Sequence, residues 1–144
     1  MTSAVLAQGT LMKIGDGVGN YTTIAECKNL SGPQLTAGAI DVTSHDSAAA
    51  FREYIGGLRD GGKITFDLNW IPNNATHGFV TGLLSRGFGG TKSQSTQFRV
   101  VFPDAATTTW TFNGLVTKLA PVSGVDKELL AQVEIQITGQ PTLA

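Results

Sequence analysis

Ile64-Thr65-Phe66-Asp67-Leu68-Asn69-Trp70 decides the fold class. Ile64, Phe66, Leu68 and Trp70 alternate with Thr65, Asp67 and Asn69, the two-residue period of a strand with one face in a core and the other in water. Downstream the same period returns three times. Phe98, Val100 and Phe102 alternate with Gln97 and Arg99 in Gln97 to Phe102. Trp110, Phe112 and Gly114 alternate with Thr111 and Asn113 in Thr108 to Leu119. Val133, Ile135 and Ile137 alternate with Glu134, Gln136 and Thr138 in Leu129 to Thr138. Pro103-Asp104 and Pro121 to Lys127 supply turns. Upstream, Gly9 to Ile14 and Tyr21 to Leu30 read as a hairpin across the glycine-rich Gly15 to Asn20, where positive φ is tolerated. Ala37 to Thr43 is a further short strand, entered from Ser31-Gly32-Pro33.

One helix is expected. After Pro72, Asn73 or Asn74 can accept from a free helix amide, Phe79, Val80, Leu83 and Leu84 share one face, and Gly87 is a stop. Many half-buried strands and a single helix give a mainly β fold, a two-sheet sandwich or open barrel with one flanking α-helix. At 144 residues the chain fits one domain, 1–144.

Composition narrows the function. Ten basic and eleven acidic side chains give a formal charge of −1, so the electrostatic footprint of a nucleic-acid or anionic-membrane binder is missing. Charged residues are 15% of the chain against about 25% in an ordinary soluble domain. Interface centres are depleted in Lys, Glu and Asp, so this deficit points to an oligomer. No apolar run has the length of a membrane span, and Met1 to Gln8 lacks the basic flank of a signal peptide. Cys27 is the only cysteine, which excludes an intramolecular disulfide and a cysteine metal cluster.

Between the strand ending near Thr43 and the one starting at Ile64 lies the long insertion Asp41 to Gly62. Its two parts are Asp41-Val42-Thr43-Ser44-His45-Asp46-Ser47 and Phe51-Arg52-Glu53-Tyr54-Ile55-Gly56-Gly57-Leu58-Arg59-Asp60-Gly61-Gly62. It is too apolar for an idle loop and too glycine-broken for a core element. The expectation is a protruding arm that orders against another subunit. The competing reading is a short amphipathic helix on the chain's own core, because Phe51, Tyr54, Ile55 and Leu58 keep helical spacing.

Catalytic and cofactor chemistry finds no footing. Gly15-Asp16-Gly17-Val18-Gly19-Asn20 misplaces the third glycine of a dinucleotide fingerprint and opens no helix. Gly89-Gly90-Thr91-Lys92-Ser93 has Thr91 where a phosphate loop needs glycine. His45 and His77 are far apart, which argues against a metal site or a base-nucleophile pair. Ser44, His45, Asp46 and Ser47 hold the residue types of a hydrolase triad, but sequence neighbours do not converge on one attacked atom, so turn hydrogen bonding is their reading. No enzyme, metal or cofactor is expected.

In order along the chain, Gly9-Thr10, Ile14-Gly15-Asp16-Gly17, Ile40 to Asp46, Tyr54 to Gly62, Phe98-Arg99-Val100-Val101-Phe102-Pro103-Asp104 and Ile137-Thr138-Gly139-Gln140-Pro141 resemble phage tail tube proteins of the long, non-contractile-tail type, the lambda-like major tail proteins. The resemblance runs nearly end to end and covers the tube domain without the C-terminal immunoglobulin-like domain that some members carry. It implies a tail-tube fold assembled as hexameric rings stacked into a tube that conducts DNA into the host. The implied partners are further copies, a tape-measure protein, a tail terminator and baseplate or initiator proteins. The implied location is the virion tail, after assembly in the host cytoplasm. Carried onto the arm, the resemblance makes Asp41, Val42, Thr43, His45, Asp46, Phe51, Arg52, Tyr54, Ile55, Leu58 and Arg59 the inter-ring contact. DNA must slide without sticking, so a lining with few free cations is required. Asp67 and Glu134 are the acidic candidates for it, with Lys63 and Arg99 on the same strands. Two alternatives stand beside this one: the inner tube of a contractile injection or secretion system, and a carbohydrate- or protein-binding sandwich using Trp70, Trp110 and Tyr21, of which Trp70 and Trp110 fall on apolar strand faces that suit core packing better.

Overall fold

In the computed structural model, which describes residues 4–15, 19–77, 82–83, 88 and 96–144, the two-residue alternation becomes antiparallel register. The strands are β1 (Leu11–Gly15), β2 (Tyr21–Thr23), β3 (Cys27–Ser31), β4 (Thr36–Asp41), β5 (Tyr54–Asp60), β6 (Lys63–Asn69), β7 (Thr96–Val101), β8 (Thr109–Val122) and β9 (Leu130–Leu143), with a 3-10 turn at Ala48–Ala50. Seven form one sheet in the order β2-β1-β7-β8-β9-β6-β3, and β4 and β5 form a second sheet alone.

The long strands β8 and β9 are shared by two halves of the large sheet. The start of β8 pairs with β7, Phe98 opposite Phe112, and the start of β9 pairs with β6, where Ile64, Phe66 and Leu68 face Ile135, Val133 and Ala131. Between the halves the β8–β9 register shifts twice, at Thr111/Asn113 and Val116/Lys118. Such bulges bend strands and sharpen their twist. Buried residues of both halves therefore meet in one cluster that includes Met12, Phe66, Phe98, Val116 and Ile135. Gly114 allows a close approach inside it, since a Cβ there would sit 2.6 Å from Ile135 Cγ2.

Connectivity shows how far the sheet curls. β2 and β3 are its opposite edges, yet only Ile24 to Glu26 separate them in sequence. Four Cα steps reach at most about 14 Å, whereas the edges of a flat seven-stranded sheet stand about 29 Å apart. The sheet must roll into an open barrel. Ile24 is buried and donates its N–H to the Met12 carbonyl (2.8 Å), and the Asn69 N–H donates to the Glu26 carbonyl (3.1 Å). The single strand expected over Tyr21 to Leu30 is accordingly two strands, broken where Glu26 takes positive φ and crosses the seam.

His77 plugs the seam. Fully buried, it accepts the Ile71 N–H at Nδ1 (3.2 Å), which leaves Nε2–H to donate to the Ala25 carbonyl (2.7 Å). Thr76 Oγ1 accepts the Ala25 N–H (3.2 Å) and donates to Asn74 Oδ1 (2.6 Å). Of the expected helix, Phe79, Val80, Leu84 and Gly87 lie outside the described residues. Leu83 and Phe88 have helical backbone, and Leu83 is buried in the core. Cys27, partly buried at the head of β3, has its thiol pushed up to about 12 by desolvation.

His77→Ala leaves the Ile71 N–H and Ala25 carbonyl unpaired beside a cavity, and should lower stability by about 3 kcal/mol in urea denaturation. In the folded protein Cys27 should resist maleimide at pH 8 and react only after denaturant is added, because the thiol stays protonated.

Candidate functional site

Thr36 to Asp60 leaves the large sheet entirely. β4 and β5 pair only with each other, Ile40 opposite Ile55 and Asp41 opposite Tyr54, with a register shift between Ala37 and Ala39. The arm thus begins at Thr36, earlier than its sequence boundary of Asp41, and the short strand expected at Ala37 to Thr43 is one of its two legs. The helical reading of Phe51, Tyr54, Ile55 and Leu58 fails, since Tyr54 to Asp60 is extended and paired along its length with β4.

Pairing fixes the faces. Ile40, Val42 and Ile55 share one side of the ribbon, Asp41 and Tyr54 the other, because cross-strand partners point the same way and neighbours oppose. None is covered: Phe51 is 73% exposed, Ile55 53% and Leu58 94%. Arg59 stands opposite Ala37 at the base, beside a groove of about 610 Å³ lined by Leu35, Trp110 and Pro141. Ile40 belongs to the same apolar side and was readable in the sequence from its place two residues before Val42; assigning it to a core strand concealed it.

The tip is held by its own polar groups. The Val42 N–H donates to the Glu53 carbonyl (2.9 Å), and the Glu53 N–H to Thr43 Oγ1 (2.8 Å). Thr43 donates both its hydroxyl and its N–H to Asp41 Oδ1, and these two bonds, the hydroxyl first, hold the Asp41 carboxyl below the usual range. Ser47 Oγ accepts the Ser44 N–H (3.0 Å) and donates to Glu53 Oε2 (2.7 Å). Arg52 lies 3.9 Å from Asp41, and His45 and Asp46 are exposed at the turn. Ser44, Asp46 and Ser47 therefore act as turn residues.

At the base the chain passes very close to itself. Gly62 has a φ of 71°, and a Cβ there would lie 2.1 Å from the Gln34 carbonyl oxygen. Its own carbonyl accepts from Ile137 N–H (2.9 Å) and Gln136 Nε2 (3.0 Å), which ties the arm's root to β9.

Asp67 and Glu134 lie together on the polar face of β6 and β9, where Thr65 opposes Glu134 and Asp67 opposes Gln132. Lys63 Nζ contacts Glu134 Oε1 at 2.7 Å, and that hydrogen bond holds the carboxyl low. Asn29 Nδ2 donates to Asp67 Oδ2 (3.1 Å), and Lys28 contacts Glu128 at 3.0 Å. Arg99, grouped with Lys63 by the sequence, sits on the other half, opposite Lys13 and 3.9 Å over the Tyr21 ring. Trp70 and Trp110 pack against the core, as their apolar positions suggested. Among the described residues no three His, Cys, Asp or Glu side chains converge as metal ligands.

Residues 9–144 match the family described as lambda phage tail tube protein, TTP. No curated protein sequence matches the chain. Among solved structures, the fold is similar to a chain in the tail of an empty gene transfer agent particle solved with C6 symmetry, with TM-score 0.73 and 20% identity over 98% of this chain and 99% of that one. It is similar to a chain in the six-fold-symmetrised baseplate of the anti-feeding prophage, with TM-score 0.73 and 13% identity over 100% and 97%. A third likeness is to a chain in the sheath/tube terminator structure of an extracellular contractile injection system, with TM-score 0.72 and 12% identity over 99% and 98%. At these identities the likenesses concern the fold, while the family match spans nearly all of the sequence. The chain belongs to the lambda phage tail tube protein family and is a structural tube subunit, not an enzyme.

Proposed function

We propose that this single tail tube domain assembles as six-membered rings stacked into a hollow tube, that DNA passes along its lumen during ejection, and that the arm carries the contact between rings. The observation that carries the reading is an apolar hairpin, ordered by its own hydrogen bonds, whose side chains find no cover on their own domain. A head-to-tail contact between unlike patches closes into a ring when its rotation permits, and a second such contact leaves an open filament. The residues assigned to the inter-ring contact are Asp41, Val42, Thr43, His45, Asp46, Phe51, Arg52, Tyr54, Ile55, Leu58 and Arg59, with Ile40 added. Partners are a tape-measure protein, a terminator and baseplate or initiator proteins, met in the host cytoplasm before the tail is complete.

Asp67 and Glu134 are proposed to face the lumen. Supporting this, both lysines beside Glu134 have a carboxylate at hand, Lys63 in an ion pair and Lys118 opposite it in register, whereas Lys13 and Arg99 on the opposite half have no carboxylate opposite them in register. Phosphates sliding past bound cations gain little affinity. The subunit shares its fold with chains of contractile systems, and its membership in the lambda phage tail tube family supports the non-contractile reading over that alternative.

Ile55→Asp, or Phe51→Asp, should leave circular dichroism unchanged and abolish tubes in sedimentation and negative stain. Losing about 2 kcal/mol of burial at each contact raises the concentration needed for polymer more than about tenfold. Tubes of normal length from either variant would refute the arm's role. Glu134→Ala frees Lys63, and DNA retention by assembled tubes should rise at low salt and fall steeply as salt increases. Asp41's pKa is lower folded than unfolded, so its contribution to tip order is present above the unfolded value and lost as pH falls through the folded one. Amide exchange at Thr43 should accelerate in that acid window.

A further inference from the structure

If arms all point one way along the tube, each needs an acceptor on the side of the subunit facing away from its own arm. The chain's topology says where that side is. The arm continues the β3–β6 pair: β5 ends at Asp60 and β6 begins at Lys63, then runs seven residues, about 24 Å, to Asn69. β9 begins beside that far end, Leu130 opposite Asn69, and β8 ends there, Val122 opposite Leu130. The pole opposite the arm is therefore the β8–β9 turn with the segment that follows β6.

This pole presents Val122, Val125 and Leu129 to solvent in a turn that also carries Asp126, Lys127 and Glu128. Every residue from Pro121 to Leu129 is exposed, with Val125 at 91%, and Val122, Leu129 and Ile71 are exposed beside it. The patch is also stiff. The Trp70 N–H donates to the Leu129 carbonyl (2.8 Å), the Ile71 N–H to buried His77, and Lys28 pins Glu128. Fixed, uncovered aliphatic side chains at the end of a sheet mark an interaction surface.

We infer that Val122, Val125, Leu129 and Ile71 form the acceptor for the arm of a second copy in the neighbouring ring, and that Ile40, Val42, Phe51 and Ile55 pack on it. This rests on the proposed stacking. A ring-to-ring contact that repeats without closing must join two different patches of one molecule, and these two lie at opposite poles of the same strands. Both are apolar and matched in number, and hydrogen bonds order the arm's tip and the backbone beside the pole before contact, which limits the entropy lost on docking.

The test uses assembled tubes of the full chain with p-benzoylphenylalanine in place of Phe51. Irradiation followed by trypsin should join the arm peptide to Leu119–Lys127, or to one of the peptides that carry Ile71 and Leu129, of another copy. A cross-link between copies to a different peptide overturns the acceptor while leaving the stacking arm intact. No cross-link between copies in assembled tubes removes the arm's role and the acceptor with it. Val125→Asp provides a second measurement, because a residue so exposed tolerates charge in the folded monomer. It should give rings and no tubes with an unchanged circular dichroism spectrum, and tubes of wild-type length would overturn the proposal.

Discussion

Three residues between opposite sheet edges constrain this structure more than any single contact, because Ile24 to Glu26 can bridge β2 and β3 only if the sheet rolls. Rolling brings the inner faces of both halves into one cluster, and it requires bends that the bulges of β8 and β9 supply. It leaves a seam whose backbone groups would be buried without partners. His77 and Thr76 satisfy them, so the lone buried histidine is a structural part of the barrel seam.

With its core closed in this way, the domain has no internal use for residues 36 to 60. Hairpins of two strands are marginal alone in water. This one is held at both ends, by the hydrogen-bonded tip around Asp41, Thr43, Ser47 and Glu53 and by Gly62 packed between Gln34 and β9. Its middle, weakened by Gly56 and Gly57, stays exposed and apolar. An arm preorganised at both ends yet uncovered along its sides is suited to gain stability from a neighbour, as the proposed stacking requires.

Electrostatics divides the two halves of the barrel. On the β6–β9 face, Lys63 pairs with Glu134 and Lys28 with Glu128, and Lys118 stands opposite Glu134 on the same side. On the β1–β7 face, Lys13 and Arg99 lie side by side, and the Arg99 guanidinium stacks over the Tyr21 ring. A formal charge of −1 conceals this asymmetry, because composition counts charges and cannot pair them.

Strict alternation made the strands at Ile64, Phe98, Trp110 and Val133 legible, since period two fixes which side chains share a face wherever the strand comes to lie. Apolar side chains broken by glycines made a segment outside the core legible for a comparable reason: they are local properties of the chain. Tertiary structure alone decided that Tyr21 to Leu30 divides between two edges, that Ala37 to Asp41 leaves the core to pair with Tyr54 to Asp60, and that Lys63 and Arg99 occupy different faces. Each of these depends on which strand is the neighbour. Partners brought together from 30 to 100 residues away leave no periodic trace in the segment they capture, so register and pairing emerge only when the sheet closes.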